Sequence, residues 1–275
     1  MSITAADVNK LRQITGAGMM DCKKALTEAN GDFDIAIDLL RKKGQKVAAN
    51  RSDRDAAEGV VIAKATADGK RGVMIVLNCE TDFVAKNAEF GSVANNILDT
   101  AISKNPSSLD DLKALNYTGT DLTISDKIME EIGKIGEKIE LSHYSVVSAE
   151  QVFCYNHPGN KLASVVGFNK NAGEDIAKDV AMQVAAMAPV SVDEKSVPEE
   201  VKQKEIEIGK EQAINEGKPA EMAEKIAMGR LNKFFKESTL LNQEFIKDSK
   251  MTVAQYLKTA DKDLTVTQFN RFALS

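Results

Sequence analysis

Few side chains in this sequence are suited to covalent chemistry, and they are scattered. It has two histidines, His143 and His157, and three cysteines, Cys22, Cys79 and Cys154. His157 lies in Tyr155-Asn156-His157-Pro158-Gly159, at the mouth of a turn. A histidine without a nucleophile or metal partner is weak ground for catalysis, so it reads as a solvated turn residue or a partner contact. An odd number of widely spaced cysteines fits neither a disulfide framework nor a zinc site and implies free thiols in a reducing compartment. Gly16-Ala17-Gly18 follows a helical pattern rather than a strand and lacks the third glycine of a dinucleotide fingerprint. No phosphate-binding Gly-x-x-x-x-Gly-Lys-Ser/Thr loop is present, and no acid/base pair of carboxylates can be read. Recognition, rather than catalysis, is the expected chemistry, with no metal and no cofactor.

One stretch carries that expectation: Glu80-Thr81-Asp82-Phe83-Val84-Ala85-Lys86-Asn87. It follows Val73-Met74-Ile75-Val76-Leu77, an apolar run that predicts a buried strand, and precedes a helical pattern with Val93, Ile97, Leu98 and Ala101. Connections of this kind lie at the surface. An aromatic ring there either folds back onto its own domain or is presented as an anchor for a partner.

The elements that must position it follow from local signals. Thr4 is placed to cap a helix carrying Val8, Leu11 and Ile14. Gly16 and Gly18 interrupt it, and a second helix holds Met19, Met20, Cys22, Ala25 and Leu26 before Asn30-Gly31. Asp32 caps a third helix with Phe33, Ile35, Ala36, Leu39 and Leu40, for which Gly44 is the expected stop. A module from about Ser2 to Gly44 results, followed by a basic linker with Lys46, Arg51 and Arg54. Asp68-Gly69 between apolar runs predicts a hairpin. Val152–Tyr155, Pro158-Gly159-Asn160 and Leu162–Phe168 repeat its grammar about 90 residues later. Each hairpin leads to an amphipathic helix, but the second connection, Asn169-Lys170-Asn171-Ala172-Gly173, has no counterpart of Asp82-Phe83. Residues 191–237 read as an antiparallel helical hairpin turned at Gly217-Lys218-Pro219, an inserted arm and a candidate homodimer contact. Thr252 caps a short helix, and Leu264, Val266, Gln268, Asn270 and Phe272 alternate as in a last strand.

The chain is thus expected to be α+β. The expected parts are an N-terminal three-helix domain and linker at 1–54, one core subdomain at 55–137, a second at 138–190 and 238–275, and the helical insertion at 191–237. Its 275 residues suffice for two modest cores. A net charge of −5 argues against nucleic acid as the main partner. The lack of a signal-like N-terminus and of a long apolar run makes a cytoplasmic protein without membrane contact the expectation.

Over essentially its whole length the sequence closely resembles a known family, and three places carry the resemblance. Thr81-Asp82-Phe83-Val84 is similar to the signature of the bacterial translation elongation factor Ts family. Leu11-Arg12, Thr15-Gly16-Ala17-Gly18-Met19-Met20-Asp21-Cys22-Lys23-Lys24-Ala25-Leu26 and Glu28-Ala29-Asn30-Gly31-Asp32 resemble its N-terminal segment. Gly217-Lys218-Pro219, Ala223-Glu224-Lys225 and Gly229-Arg230 resemble its helical arm. The resemblance implies an N-terminal domain of ubiquitin-associated-like fold and guanine-nucleotide exchange on elongation factor Tu, without covalent chemistry. It casts Asp82 and Phe83 as a wedge that disturbs the partner's Mg²⁺ and phosphate site, with Thr81 and Val84 shaping it. Arg12, Gly18, Met19 and Met20 would hold another part of the GTPase, and His157 would face its other domains. The alternative is a non-catalytic helical interaction module that docks a partner through Met19 and Met20.

Overall fold

The computed structural model describes residues 3–275, the side chain of Ala220 apart. Ser2, where the first module was expected to begin, lies outside the described residues. The chain divides into two compact units. One comprises residues to 62, 75–144 and 274–275; the other comprises 63–74 and 145–273. The fold is α+β.

The first unit opens with three helices, α1 (Ala5–Thr15), α2 (Met19–Glu28) and α3 (Phe33–Asn50). Their ends are set by local hydrogen bonding. Thr4 caps α1 in a reciprocal box with Asp7, Asp32 caps α3 through the Ile35 amide, and Gly16 closes α1 with φ 67°. Val8, Leu11, Cys22, Ala25, Leu26 and Ala36 form the buried core between them. Gly44 does not stop α3, which continues to Asn50, so the expected linker is largely helical. Its physical role is a close crossing. A Cβ on Gly44 would lie 2.5 Å from the Met129 carbonyl oxygen, and one on Gly133 would lie 3.1 Å from the Gly44 Cα.

Strands β1 (Glu58–Ala65), β2 (Arg71–Cys79) and β3 (Ile139–Ser148) form a sheet in that order. β2 is central and buried along nearly its whole length. After β2 come α4 (Asp82–Ala85), α5 (Ala88–Lys104), α6 (Leu109–Ala114) and α7 (Ile124–Ile135). Gly136, with φ 82°, ends α7 and turns the chain into β3.

In the second unit β4 (Gln151–Asn156) pairs antiparallel with β5 (Leu162–Phe168), which pairs with β8 (Val266–Ala273). Helix α8 (Glu174–Met187) buries Ala177, Val180, Ala181 and Val184 in the core that holds Val166 and Phe168. α9 (Glu199–Asn215) and α10 (Ala220–Ser238) form the expected helical hairpin, with its own apolar cluster of Val197, Leu231 and Phe235. Strands β6 (Glu244–Phe245) and β7 (Asp248–Thr252) and helix α11 (Val253–Ala260) follow. Thr252 caps α11 in a box with Gln255. The simple alternation expected for the last strand fails. A register shift at Gly167/Phe168 changes the parity, so Val266 and Phe269 both pack on the same core.

Candidate functional site

The connection after β2 is a single helical turn, α4, with no buried residue of its own. Thr81 is extended and caps it by accepting from the Val84 amide. Asp82, in the first turn, suits the positive end of the helix dipole and pairs with Lys86 at 2.6 Å. That hydrogen bond and the Asp82 charge raise the Lys86 pKa. Phe83 points away from all of this. At 84% exposure it is the most exposed large apolar side chain among the described residues, so the ring does not fold back onto its own domain. Val84 is half-buried beside it.

The turn is seated on half-buried polar contacts. One carboxylate, that of Glu137, accepts three donors: the Glu80 amide at 3.2 Å, the Thr81 amide at 3.1 Å and the Thr81 hydroxyl at 2.7 Å. The Glu80 carboxylate in turn accepts from the Lys138 amide at 2.6 Å and lies 2.8 and 2.7 Å from Nη1 of Arg51. Burial alone would raise the Glu80 pKa; the Lys138 amide and the Arg51 guanidinium outweigh it and hold it below the ordinary carboxylate value. Lys138 extends its ammonium to the Ser52 and Arg54 carbonyls at 3.0 and 3.1 Å. Beneath the turn, the Cys79 thiol donates to the Thr81 carbonyl at 3.2 Å. Burial, with the Glu137 charge adding to it, pushes its pKa up to about 12. Sequence reasoning missed Glu137 and Lys138 and read Arg51 only as part of a basic linker. The sole signal was Gly136, a helix-stopping glycine just before two charged residues.

Gly18 is the N-cap of α2, and Met19 and Met20 occupy its first turn, 51% and 66% exposed. They line a shallow groove with Ile3 and Val8. Arg12 is exposed on α1. His157 belongs to the second unit, exposed in the β4–β5 loop with Nδ1 3.0 Å from the Tyr155 hydroxyl. His143 is half-buried on β3, and burial lowers its pKa. Among the described residues no group of His, Cys, Asp and Glu is arranged to hold a metal ion, and no helix is long and apolar enough to cross a membrane.

Fold and site together define an α+β protein that carries an exposed aromatic tip on a firmly hydrogen-bonded base. Residues 80–275 match the family model described as elongation factor TS. The chain is 54% identical over 274 residues to an elongation factor Ts of Amoebophilus asiaticus, covering 98% of both proteins. It is 53% identical to one of Christiangramia forsetii, over 99% of this chain and 98% of that protein. With one of Porphyromonas gingivalis it shares 50% identity, over 100% and 99%. The chain belongs to the elongation factor Ts family, and its role lies in translation elongation.

Proposed function

We propose that the protein is a guanine-nucleotide exchange factor for elongation factor Tu, with Asp82 and Phe83 as the group that opens the GTPase. The observation that carries this reading is Phe83, 84% exposed on a one-turn helix in a chain of this family. The ring enters a partner without first breaking contacts in its own fold. In a P-loop GTPase, Mg²⁺ and the loop amides supply much of the hold on nucleotide. A docked ring and carboxylate that disturb them weaken GDP binding, and by linkage GDP weakens the docked factor equally. Burying one Phe supplies roughly 1.5–3 kcal/mol. Each tenfold in release rate needs about 1.4 kcal/mol, so the ring accounts for about one or two decades. A larger acceleration draws on Arg12, Gly18, Met19 and Met20 as a second contact, with His157 as a third. This reading involves no covalent step by the factor and places it in the cytoplasm.

The test is retention and elution. Immobilised protein should hold nucleotide-free elongation factor Tu and release it when GDP is added. Retention that is indifferent to GDP, and reproduced by the N-terminal three-helix module alone, would favour the module reading, for which the exposure of Met19 and Met20 speaks.

A further inference from the structure

The tip cannot orient itself. An isolated four-residue helix is far below the length at which helices hold in water, and α4 buries none of its residues. Besides its contact with α5, the turn that carries Phe83 is held through the residues just before it. These are Glu80 and Thr81, and both are gripped from a segment more than 50 positions away in sequence.

The grip is reciprocal. The Glu137 side chain takes the backbone amides of Glu80 and Thr81, while the Glu80 side chain takes the backbone amide of Lys138. Each segment thus offers a carboxylate to the other's main chain, a reciprocal side-chain-to-backbone exchange like that of a capping box, where a hydroxyl takes the place of one carboxylate. Charge-assisted bonds of this type are stronger and more directional than neutral ones. The Thr81 hydroxyl does two jobs at once: it donates to Glu137 at 2.7 Å and accepts from the Val84 amide at 3.5 Å. That fixes the Thr81 rotamer and, through it, the first turn of α4. Gly136 makes the arrangement possible, because its left-handed backbone turns Glu137 out of α7 and onto the tip's base.

We propose that Glu137 is a positioning residue for nucleotide exchange, holding Phe83 in its docking orientation through Thr81, with Glu80 as the returning half of the clasp. This rests on the exchange reading above. Displacement of a reacting or docking group by about 1 Å is enough to cost up to about 100-fold in rate, so a clasp of this kind governs the maximal rate of GDP release more than affinity.

The experiment has two arms on the full chain. In the first, amide hydrogen exchange of residues 80–86 is compared between wild type and Glu137→Ala. Faster exchange there, with Val73–Leu77 unchanged, is the expected result. Unchanged exchange at 80–86 overturns the clasp whatever the function. In the second, GDP release from elongation factor Tu is measured against factor concentration for wild type, Glu137→Ala, Phe83→Ala and the double variant. Glu137→Ala should lower the maximal rate about tenfold or more, with little change in the half-saturating concentration and no further loss when Phe83 is already Ala. Multiplicative losses in the double variant, or a loss confined to half-saturation, overturn the positioning role. If wild type itself gives no acceleration, the exchange reading fails and the positioning role falls with it, while the first arm still decides whether the clasp exists.

Discussion

Gly44 of α3 and Gly133 of α7 meet at backbone contact: a Cβ on either would fall within 3.1 Å of main-chain atoms of the other helix. Two helices approach this closely only where neither carries a side chain. The crossing ties the N-terminal helices to α7, the helix whose end delivers Glu137 to the tip.

Gly44→Ala should therefore destabilise the first unit, although alanine is the better helix former. Overpacking of this kind costs about 1–3 kcal/mol, and the unit's thermal transition should fall by several degrees. Gly91→Ala is the matched control. That glycine also lies in a helix, α5, but an added Cβ would meet nothing within 4 Å, so the substitution should stabilise by about 0.5–1 kcal/mol. Calorimetric melts of the two variants should move in opposite directions; a common upward shift would remove the crossing as a constraint.

The thiols should be silent in the native protein. Cys22 and Cys79 are buried and Cys154 half-buried. Burial raises all three pKa values, those of Cys79 and Cys154 to about 12. Since the thiolate is the reactive form, an aromatic disulfide reagent at pH 8 should find no fast-reacting group in native protein and three in denaturant. A fast native equivalent would mean that one of these sites opens readily.

The Glu80 clasp predicts a pH dependence of definite sign. Its folded pKa is depressed, so its stabilisation is fully present above the unfolded value of about 4.3 and is lost as pH falls through the lower folded value. Urea unfolding of wild type and Glu80→Gln should differ most near neutral pH. The gap should narrow from about pH 4.3 downward. A gap that stays constant to pH 3 would show that the Glu80 charge is not what the Lys138 amide and Arg51 hold.

What could be read from the sequence was what is decided locally. Thr4, Asp32 and Thr252 announce helix starts because a cap needs only the next three residues. The buried strand before Asp82-Phe83 announced itself by its unbroken apolar run. Gly44 misled, because a glycine that ends a helix and one that permits a helix crossing look alike until the partner helix is known. Strand β3 went unread because Ile139–Ser148 mixes polar and apolar residues and is defined by pairing with β2. Glu137 is the sharpest case. Its meaning lies in bonds to residues 56 and 57 positions earlier, and apart from the helix-ending Gly136 before it nothing in the neighbouring sequence distinguishes it from a surface acid.

Because Phe83 is exposed, its truncation should change function without changing the fold. Phe83→Ala should melt within about 0.5 kcal/mol of wild type, as surface substitutions do. The most direct test of the account is stopped-flow release of fluorescent GDP from elongation factor Tu with the two proteins. Wild type should accelerate release, and Phe83→Ala, equally folded, should lose about one to two decades of that acceleration. Equal release rates with both proteins would contradict the assignment of Phe83, and no acceleration by wild type would contradict the function itself.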